Sequence, residues 1–412
     1  MKLNLNLKAL FLGLVFFLFP VAHFKATLFG FPLYLSEIPL LIATGMILWE
    51  LYREKFDWRE FLRPKRTFFI GAGLFLLGAV LSYTLNPETL TGLGILKSFF
   101  FLPALLALLL MLTIRNEEGM RKILWLWLSG LALMAWWSLI LAMRGEFTYD
   151  GRLAGIYESP NYLAMLLAPG LALSLYFFLT APRRNVKGGS IFFFLILAID
   201  LFLTRSYGAL LSTFVSLPVF LWFVRKDMGA TLKKFLLALC FAFITLCLLI
   251  YPTQKFQSLW HGDERSSLVS RAMIWKAAFK IGSDNAFIGI GPGNFQEKYL
   301  EYQKYFPPYL EWAVPEPHNL SLAFWLQTGL IGLSGFFIVL YSILRAGYRR
   351  WKENNLSPEE RLLGSLLFSL LLFYLLYGLI DTPYFKNDLA LAFWGTLGLL
   401  LSWSLPVRIP KN

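Results

Sequence analysis

HNLSLAFWLQTGLIGLSGFFIVLYSIL, residues 318–344, is one of a series of long apolar stretches, and this series decides the fold. A helix that crosses a bilayer needs roughly 20 consecutive apolar residues. The 412-residue chain is 57% hydrophobic and only 15% charged, and its 40 Phe and 14 Trp exceed what a soluble core of this size would bury. The composition therefore predicts an all-α, polytopic integral membrane protein.

These apolar stretches predict about twelve transmembrane helices, on the criterion of roughly 20 apolar residues per crossing. Nine lie within residues 1–251 and three within 318–412. The long polar loop between them, 252–317, mixes aromatic with charged residues, which predicts short helices rather than disorder. The predicted spans are 8–23, 32–52, 67–85, 95–114, 122–143, 161–181, 190–204, 207–224, 235–251, 318–344, 361–380 and 388–406.

The net charge is +13, and the positions of the basic residues predict how the chain is oriented in the membrane. Basic residues cluster in alternate connections, and six Lys or Arg lie between positions 53 and 66. By the positive-inside rule these connections and both termini face the cytoplasm, so the loop 252–317 faces outward. Because no single domain carries the charge, no nucleic-acid partner is predicted. Cys240 and Cys247 share one apolar stretch and are predicted to pack in lipid, without a disulfide or a metal.

One segment of the loop has a helical pattern. Residues 267–281 alternate apolar side chains with Arg271, Lys276 and Lys280. The pattern fits an amphipathic helix at the membrane surface, and a solvated helix that packs against the rest of the protein is the alternative. The apolar face is predicted to consist of Leu268, Ala272, Trp275 and Phe279.

His318 is one of only three histidines, and it opens the apolar stretch 318–344. The partial positive charge of a helix N-terminus disfavours imidazolium and keeps a neutral nitrogen free to accept a proton, although Glu316 could offset this effect. His318 is therefore a candidate general base. The alternative is a histidine that caps the helix or lies at the membrane interface.

The same stretch continues with Asn319, nine intervening residues, and then Gly329 and Gly332. Small residues at this spacing permit close approach of a neighbouring helix, and packing alone would explain both glycines. The whole string nevertheless resembles the H-[NSQ]-x9-G-x-x-[GTY] motif of bacterial O-antigen ligases. In that family the histidine closes a large periplasmic loop and begins the next span, as His318 does here.

Further segments from about residue 150 to residue 345 carry the same resemblance. They are Arg152-Leu-Ala-Gly155 leading into Ser159-Pro-Asn161, Thr204-Arg-Ser-Tyr-Gly208, Ser270-Arg271 with Trp275, and Gly289-Ile-Gly-Pro-Gly293. The resemblance implies an O-antigen ligase in the bacterial inner membrane, with its active site facing the periplasm. O-antigen polymerases and protein O-oligosaccharyltransferases belong to the same superfamily and remain alternatives.

The resemblance also implies substrates and a mechanism. The donor would be a glycan on undecaprenyl pyrophosphate, and the acceptor would be a sugar hydroxyl of the lipid A core. Membrane lipids would surround the protein. Transfer would be inverting and independent of metals and cofactors. Histidines at positions 23, 261 and 318 are dispersed and no Asp-x-Asp pair occurs, so the sequence itself predicts no metal site.

The resemblance gives catalytic roles to His318, Arg205 and Arg271. The two guanidinium groups would hold the donor pyrophosphate through paired hydrogen bonds, although arginines at the ends of spans are often snorkelling anchors. The predicted substrate-binding residues are Arg152, Asn161, Asn319, Gly291 and Gly293. Alternatively, Arg152 holds an outer loop, and the glycines form a plain turn instead of a backbone nest for phosphate.

Three carboxylates do not fit this scheme. Glu158 departs from the family pattern, where a small residue or Asn precedes Pro-Asn, and it could simply cap a helix. Glu37 and Asp200 fall inside predicted spans, where a carboxylate is costly and is by default a functional candidate. They motivate a transporter as the alternative class of protein. The position of the longest loop argues against a transporter, because this loop is predicted to lie outside rather than between two halves of the chain. Structural polar contacts are the other explanation for this pair.

Overall fold

The computed structural model describes residues 5–28, 31–86, 90–114, 116–223, 251, 257, 266–308 and 310–405. Over these residues the regular secondary structure is helical apart from one antiparallel hairpin of β1 (Lys25–Leu28) and β2 (Phe31–Tyr34). The helices up to the loop are α1 (Leu5–Phe17), α2 (Glu37–Arg53), α3 (Trp58–Leu62), α4 (Arg66–Leu85), α5 (Leu90–Ile95), α6 (Leu102–Thr113), α7 (Glu117–Met143), α8 (Pro160–Thr180), α9 (Arg184–Leu203) and α10 (Tyr207–Phe223). The later helices are α11 (Ser267–Asp284), α12 (Phe295–Tyr302), α13 (Leu320–Trp351), α14 (Pro358–Tyr377) and α15 (Asn387–Ser404).

Within the described part of the chain, seven helices are long and apolar enough to cross a membrane. The protein is therefore a multi-pass membrane protein, whereas the count of about twelve spans stays a prediction. Two further apolar helices are shorter. The predicted span 235–251, with Cys240 and Cys247, lies outside the described residues apart from its last position.

Helices α4 and α13 approach each other through glycines. A Cβ at Gly78 would lie 2.4 Å from the backbone nitrogen of Gly332, and a Cβ at Gly335 would lie 2.4 Å from that of Phe75. Any larger side chain at these positions would force the two backbones apart. Close helix packing thus accounts for Gly332.

Gly329 has a different role, because α13 breaks at this residue. Its φ of 63° and ψ of −175° are not helical, and φ values of this kind favour glycine. The segment before α12 runs past the break: the N–H of Ile290 donates to Leu326 O at 2.7 Å, and the N–H of Leu330 donates to Ala286 O at 2.9 Å. A Cβ at Gly329 would lie only 2.0 Å from Phe287 O, so this position requires glycine.

Helix α11 packs against the outer part of α13 and forms a second, smaller core. Its buried side chains include Ile274, Ala277 and Ile281, which meet Ile290, Phe295 and Leu326. The predicted apolar face is the other side of the helix, where Phe279 is 61% and Leu268 55% exposed. Helix α11 therefore packs against the rest of the protein, which is the alternative considered from the sequence. Its predicted apolar face forms a second apolar stripe, on the side away from this core.

The two carboxylates predicted within spans differ. Glu37 is buried and lies 2.8 Å from Lys97 Nζ, so a structural ion pair accounts for it. Asp200 on α9 is fully buried, and neither carboxyl oxygen has a hydrogen-bond partner among the described residues.

Candidate active site

The candidate site lies where several helices end, away from the basic connections. Asn161 is in the first turn of α8, His318 precedes α13, and Asp381 follows α14. Arg271 reaches the same point from the second turn of α11. The opposite ends of α8 and α13 adjoin the basic residues Arg183, Arg184, Arg349 and Arg350. The site therefore occupies one end of the helix bundle.

Asp381 is the centre of this cluster and is only 3% exposed. Its Oδ1 lies 2.9 Å from His318 Nδ1 and accepts from the N–H of Thr382 at 2.9 Å. Its Oδ2 accepts from Asn161 Nδ2 at 3.0 Å and from Arg271 Nη2 at 3.4 Å. One carboxylate thus joins three of the residues that the sequence assigned to the site.

Asn161 connects this carboxylate to Arg152. Its Oδ1 accepts from Arg152 Nη2 at 2.7 Å while its Nδ2 donates to Asp381. Because a guanidinium only donates and a carboxylate only accepts, the orientation of the amide is fixed chemically. Arg152 Nε also donates to Thr204 O at 2.8 Å. Arg152 therefore ties the loop between α7 and α8 to Thr204 while its guanidinium borders the site, and its role in substrate binding stays a prediction.

The charges around Asp381 determine its ionisation. Burial disfavours the carboxylate, but the attraction and hydrogen bond of His318, the charge of Arg271 and the N–H of Thr382 outweigh burial and lower the pKa of Asp381 below its usual value. Asp381 is therefore an anion at neutral pH and can only accept hydrogen bonds.

An ionised Asp381 determines which nitrogen of His318 carries the proton. In either protonation state of the ring Nδ1 carries the proton that the carboxylate accepts, so the neutral form, which can act as a base, has its free lone pair on Nε2. The backbone of His318 has a φ of 49°, unusual for a residue other than glycine, and its carbonyl accepts from Trp275 Nε1 at 3.2 Å. The side chain is 33% exposed, so the ring is accessible to a substrate.

Arg271 has a donor left over. One of its terminal nitrogens contacts Asp381, whereas Nε is buried and has no partner among the described residues. A buried guanidinium N–H without an acceptor is costly, and an anionic ligand would satisfy it. Burial has the largest effect on Arg152 and lowers its pKa. The positive charge of Arg271 lowers this pKa further, whereas the negative charge of Asp150 raises it. Two guanidinium groups therefore reach the Asn161–Asp381 pair, Arg152 through the amide of Asn161 and Arg271 through the carboxylate of Asp381.

Arg205 lies beside this group. It follows Thr204, whose carbonyl binds Arg152, and its side chain is exposed. The ideal Cβ position of Gly151 is 3.7 Å from Arg205 Nη1. Like His318, Arg205 has a positive φ, of 47°. Its guanidinium thus borders the loop that carries Arg152, and its catalytic role stays a prediction.

The remaining predicted binding residues make mainly structural contacts. Asn319 caps α13 by accepting from the N–H of Leu322 at 3.0 Å, and it donates to Leu379 O. The N–H of Gly291 donates to Ser82 Oγ at 2.9 Å. Gly291 and Gly293 both have positive φ values. These contacts support the turn that the sequence left as the alternative, while substrate binding by these three residues stays a prediction.

Two glutamates flank the cluster. Glu158 does not cap α8, because Ser159 does; instead its exposed carboxylate lies 3.7 Å from Lys386 Nζ. Glu316 accepts from Gln327 Nε2 at 3.1 and 3.2 Å. Burial raises the pKa of Glu316 to about 8, against the opposing effects of Gln327 and Lys386. Gln327 Oε1 is buried without a partner among the described residues.

The raised pKa of Glu316 predicts how stability depends on pH. Between its ordinary value of 4.5 and about 8, the folded protein binds a proton that the unfolded chain does not. Stability should therefore fall as the pH rises through this window, and Glu316→Gln should flatten the decline. The check is the thermal unfolding midpoint between about pH 5 and about pH 9, with Glu297→Gln on the exposed side of α12 as control. A wild-type decline that persists unchanged in Glu316→Gln contradicts the assignment.

Asp381 was missed by sequence reasoning. It is 63 residues from His318, and no spacing rule joins the two. The available signal was its place in the short outward connection after the predicted span 361–380, on the same side as His318. Elsewhere in the described ranges, no three His, Cys, Asp or Glu side chains are grouped as metal ligands would be.

The fold and the site together define a class: a multi-pass membrane protein with a histidine, a carboxylate and several arginines at one end of its helices. Residues 191–337 match the model of the family described as O-Antigen ligase. The match confirms the resemblance predicted from the motifs, and it includes Arg205, Arg271 and His318. It supports a glycosyltransferase-like enzyme. A search of curated proteins finds no match.

Proposed function

We propose that this protein is an O-antigen ligase, which transfers a glycan from undecaprenyl pyrophosphate to a sugar hydroxyl of the lipid A core at the periplasmic face of the inner membrane. The observation that carries the proposal is the pairing of His318 Nδ1 with Asp381 Oδ1 at 2.9 Å, beside the guanidinium of Arg271. This arrangement offers a base and an anion-binding group at one point. The family match over residues 191–337 supports it.

In the proposed reaction, His318 Nε2 takes the proton of the acceptor hydroxyl while the oxygen attacks the anomeric carbon of the donor. The bond from that carbon to the pyrophosphate oxygen breaks, and its electron pair leaves with the lipid pyrophosphate. One displacement of this kind inverts the anomeric configuration. Asp381 stabilises the imidazolium that forms, as the third member of a catalytic triad does.

The leaving group accumulates negative charge, which the arginines would stabilise. Arg271 offers its buried, unpartnered Nε, and Arg205 and Arg152 border the site from the neighbouring loop. Guanidinium groups remain charged and form paired hydrogen bonds to phosphate oxygens, so they can do so without a metal ion. Catalysis would then consist mainly of positioning and electrostatic stabilisation.

Arg271→Ala is expected to weaken binding of the lipid-linked donor by about 10- to 100-fold, because a hydrogen bond to a charged group contributes roughly 1.5–3 kcal/mol. Turnover should fall as well, since the same contact stabilises the leaving group. Arg271→Lys should restore part of the affinity because it keeps the charge without the forked geometry. Donor affinity and turnover are both measured on purified protein. Lys298→Ala, an exposed residue paired with Glu301, is the control, and equal effects of the two alanine variants would contradict the role.

The acceptor decides between members of the superfamily. Purified protein is given labelled lipid-linked glycan together with lipid A core, a second lipid-linked repeat unit and a pilin-like protein. The proposal expects the label on the lipid A core. Label on the repeat unit would show a polymerase, and label on the protein would show an oligosaccharyltransferase. If folded protein in detergent consumes no donor with any acceptor, the transporter alternative is favoured.

A further inference from the structure

The turn between α9 and α10 holds Arg205 in an unusual backbone conformation. Its φ of 47° is left-handed, which is uncommon for residues other than glycine and persists only where surrounding contacts maintain it. The N–H of Arg205 donates to Phe202 O at 3.0 Å, and the N–H of Ser206 donates to Thr204 Oγ1 at 3.3 Å. These bonds lie within the turn, so contacts with other elements are needed to fix where the turn lies relative to Asp381.

One such contact is a buried pair of hydroxyl groups. Ser206 Oγ, on the residue that follows Arg205, lies 2.8 Å from the hydroxyl of Tyr377 at the end of α14. Ser206 is 3% exposed and Tyr377 is 1% exposed. Breaking this hydrogen bond would leave buried polar groups unsatisfied, which is costly. The pair therefore ties the turn that carries Arg205 to α14.

The ring of Tyr377 fits beside Gly208. A Cβ at Gly208 would lie 2.8 Å from Tyr377 Cε2 and 2.5 Å from Ile380 Cδ1, so a larger residue would push the ring away. Gly208 ends the segment Thr204-Arg-Ser-Tyr-Gly208. This segment thus supplies both the hydroxyl that binds Tyr377 and the space that its ring occupies.

The same end of α14 also holds the other half of the site. The carbonyl of Tyr377 accepts from the N–H of Asp381 at 2.9 Å. The next carbonyl in the chain accepts from the N–H of Leu320 at 2.7 Å, two residues after His318. Tyr377 therefore contacts Asp381 through its backbone and the turn between α9 and α10 through its side chain.

We propose that Tyr377 is a positioning residue of the transfer reaction. Its hydroxyl, acting through Ser206, fixes Arg205 where the donor pyrophosphate leaves. The inference rests on the proposed function, in which Arg205 stabilises this leaving group. Displacement of such a group by about 1 Å can slow an enzyme about 100-fold. Within the described part of the chain the Tyr377 hydroxyl bonds only Ser206, so it acts on the arginine and not on the base.

Tyr377→Phe removes the hydroxyl and keeps the ring. It should lower kcat/KM for the lipid-linked donor by about 10- to 100-fold, and Ser206→Ala should have a similar effect. The pH dependence of turnover should stay that of the wild type, because the side chains of His318 and Asp381 are untouched. Tyr374→Phe is the matched control: this tyrosine is also buried on α14, and its hydroxyl has no partner among the described residues. Its loss should leave transfer unchanged, and thermal unfolding shows whether each variant is folded.

A double variant shows whether the hydroxyl acts through Arg205. Adding Tyr377→Phe to Arg205→Ala should cause no further loss of kcat/KM, because the guanidinium that the hydroxyl positions is already gone. A hydroxyl that only stabilises the fold would instead slow Arg205→Ala by the same factor by which it slows the wild type.

Failures of the two proposals are distinguishable. If the wild type transfers no glycan, or if Arg205→Ala is fully active, the proposed donor chemistry is wrong at this arginine and the inference falls with it. If Arg205→Ala is slow, the positioning role alone is overturned by either of two results: Tyr377→Phe is fully active, or it slows Arg205→Ala further by its own factor.

Discussion

His318→Ala is expected to slow glycan transfer by about 10²–10⁴-fold, the usual contribution of a positioned general base. Donor affinity should change far less, because the pyrophosphate contacts are assigned to the arginines. Turnover is measured at saturating donor and compared with donor binding measured directly. Since the His318 side chain is 33% exposed, added imidazole should enter the space left by the ring and restore part of the rate.

The matched control for this variant is His23→Ala, which removes an exposed histidine near the hairpin and should leave transfer unchanged. Full activity of His318→Ala would remove the proposed base. A rate loss with no imidazole rescue and an equal loss of donor affinity would instead indicate that His318 binds the donor.

Asp381→Asn is expected to lower turnover by roughly 10³–10⁴-fold, by analogy with the carboxylate of a catalytic triad. With its single oxygen facing Asn161 and Arg271, the amide presents its NH2 group to Nδ1, and it no longer stabilises an imidazolium. The ring would then favour the tautomer with a proton on Nε2, which cannot act as a base. The amide oxygen then lies where Asn161 and Arg271 donate, so both keep an acceptor, but Arg271 loses the negative charge that it faces in the wild type. Steady-state turnover and thermal unfolding of the variant separate activity from stability.

A double variant tests whether Asp381 acts through His318. If it does, His318→Ala combined with Asp381→Asn should be about as slow as the slower single variant, because groups that act as one unit are not additive. Multiplicative losses would give Asp381 an independent role. Asp388→Asn is the control: this carboxylate is equally buried at 3% and bonds Tyr157, so its loss should cost stability without the same loss of turnover.

The sequence was sufficient for the membrane class and for most helix positions, because apolar length and basic connections follow directly from the cost of placing polar groups in lipid. It also placed His318 at the start of α13, since the proline-rich segment ends there and the apolar run begins. It did not reveal the break at Gly329. The spacing of Gly329 and Gly332 fits close packing of a continuous helix as well as it fits a break. Only the backbone of residues 286–290, which lies against Gly329, distinguishes the two.

Which side of α11 is buried was also beyond the sequence. Leu268 and Phe279 form one apolar stripe, and Ile274 and Ile281 form another, so periodicity alone does not say which one meets the core. Asp381 escaped for a related reason. Its importance comes from contacts with His318, Asn161 and Arg271, which lie far from it in the chain. The residues next to Asp381 in the sequence form no pattern that would predict these contacts.

The two main-chain hydrogen bonds across the break in α13 have a mechanical consequence. The N–H groups of Ile290 and Leu330 tie the segment 286–290 to α13, so this segment is fixed to the helix on both sides of the break. Lifting the segment 286–290 away from α13 would leave these buried peptide groups unpaired, at a cost of roughly 1–3 kcal/mol for each. We therefore expect this segment to stay in place during the reaction, so that substrates reach His318 around it rather than beneath a cover that opens.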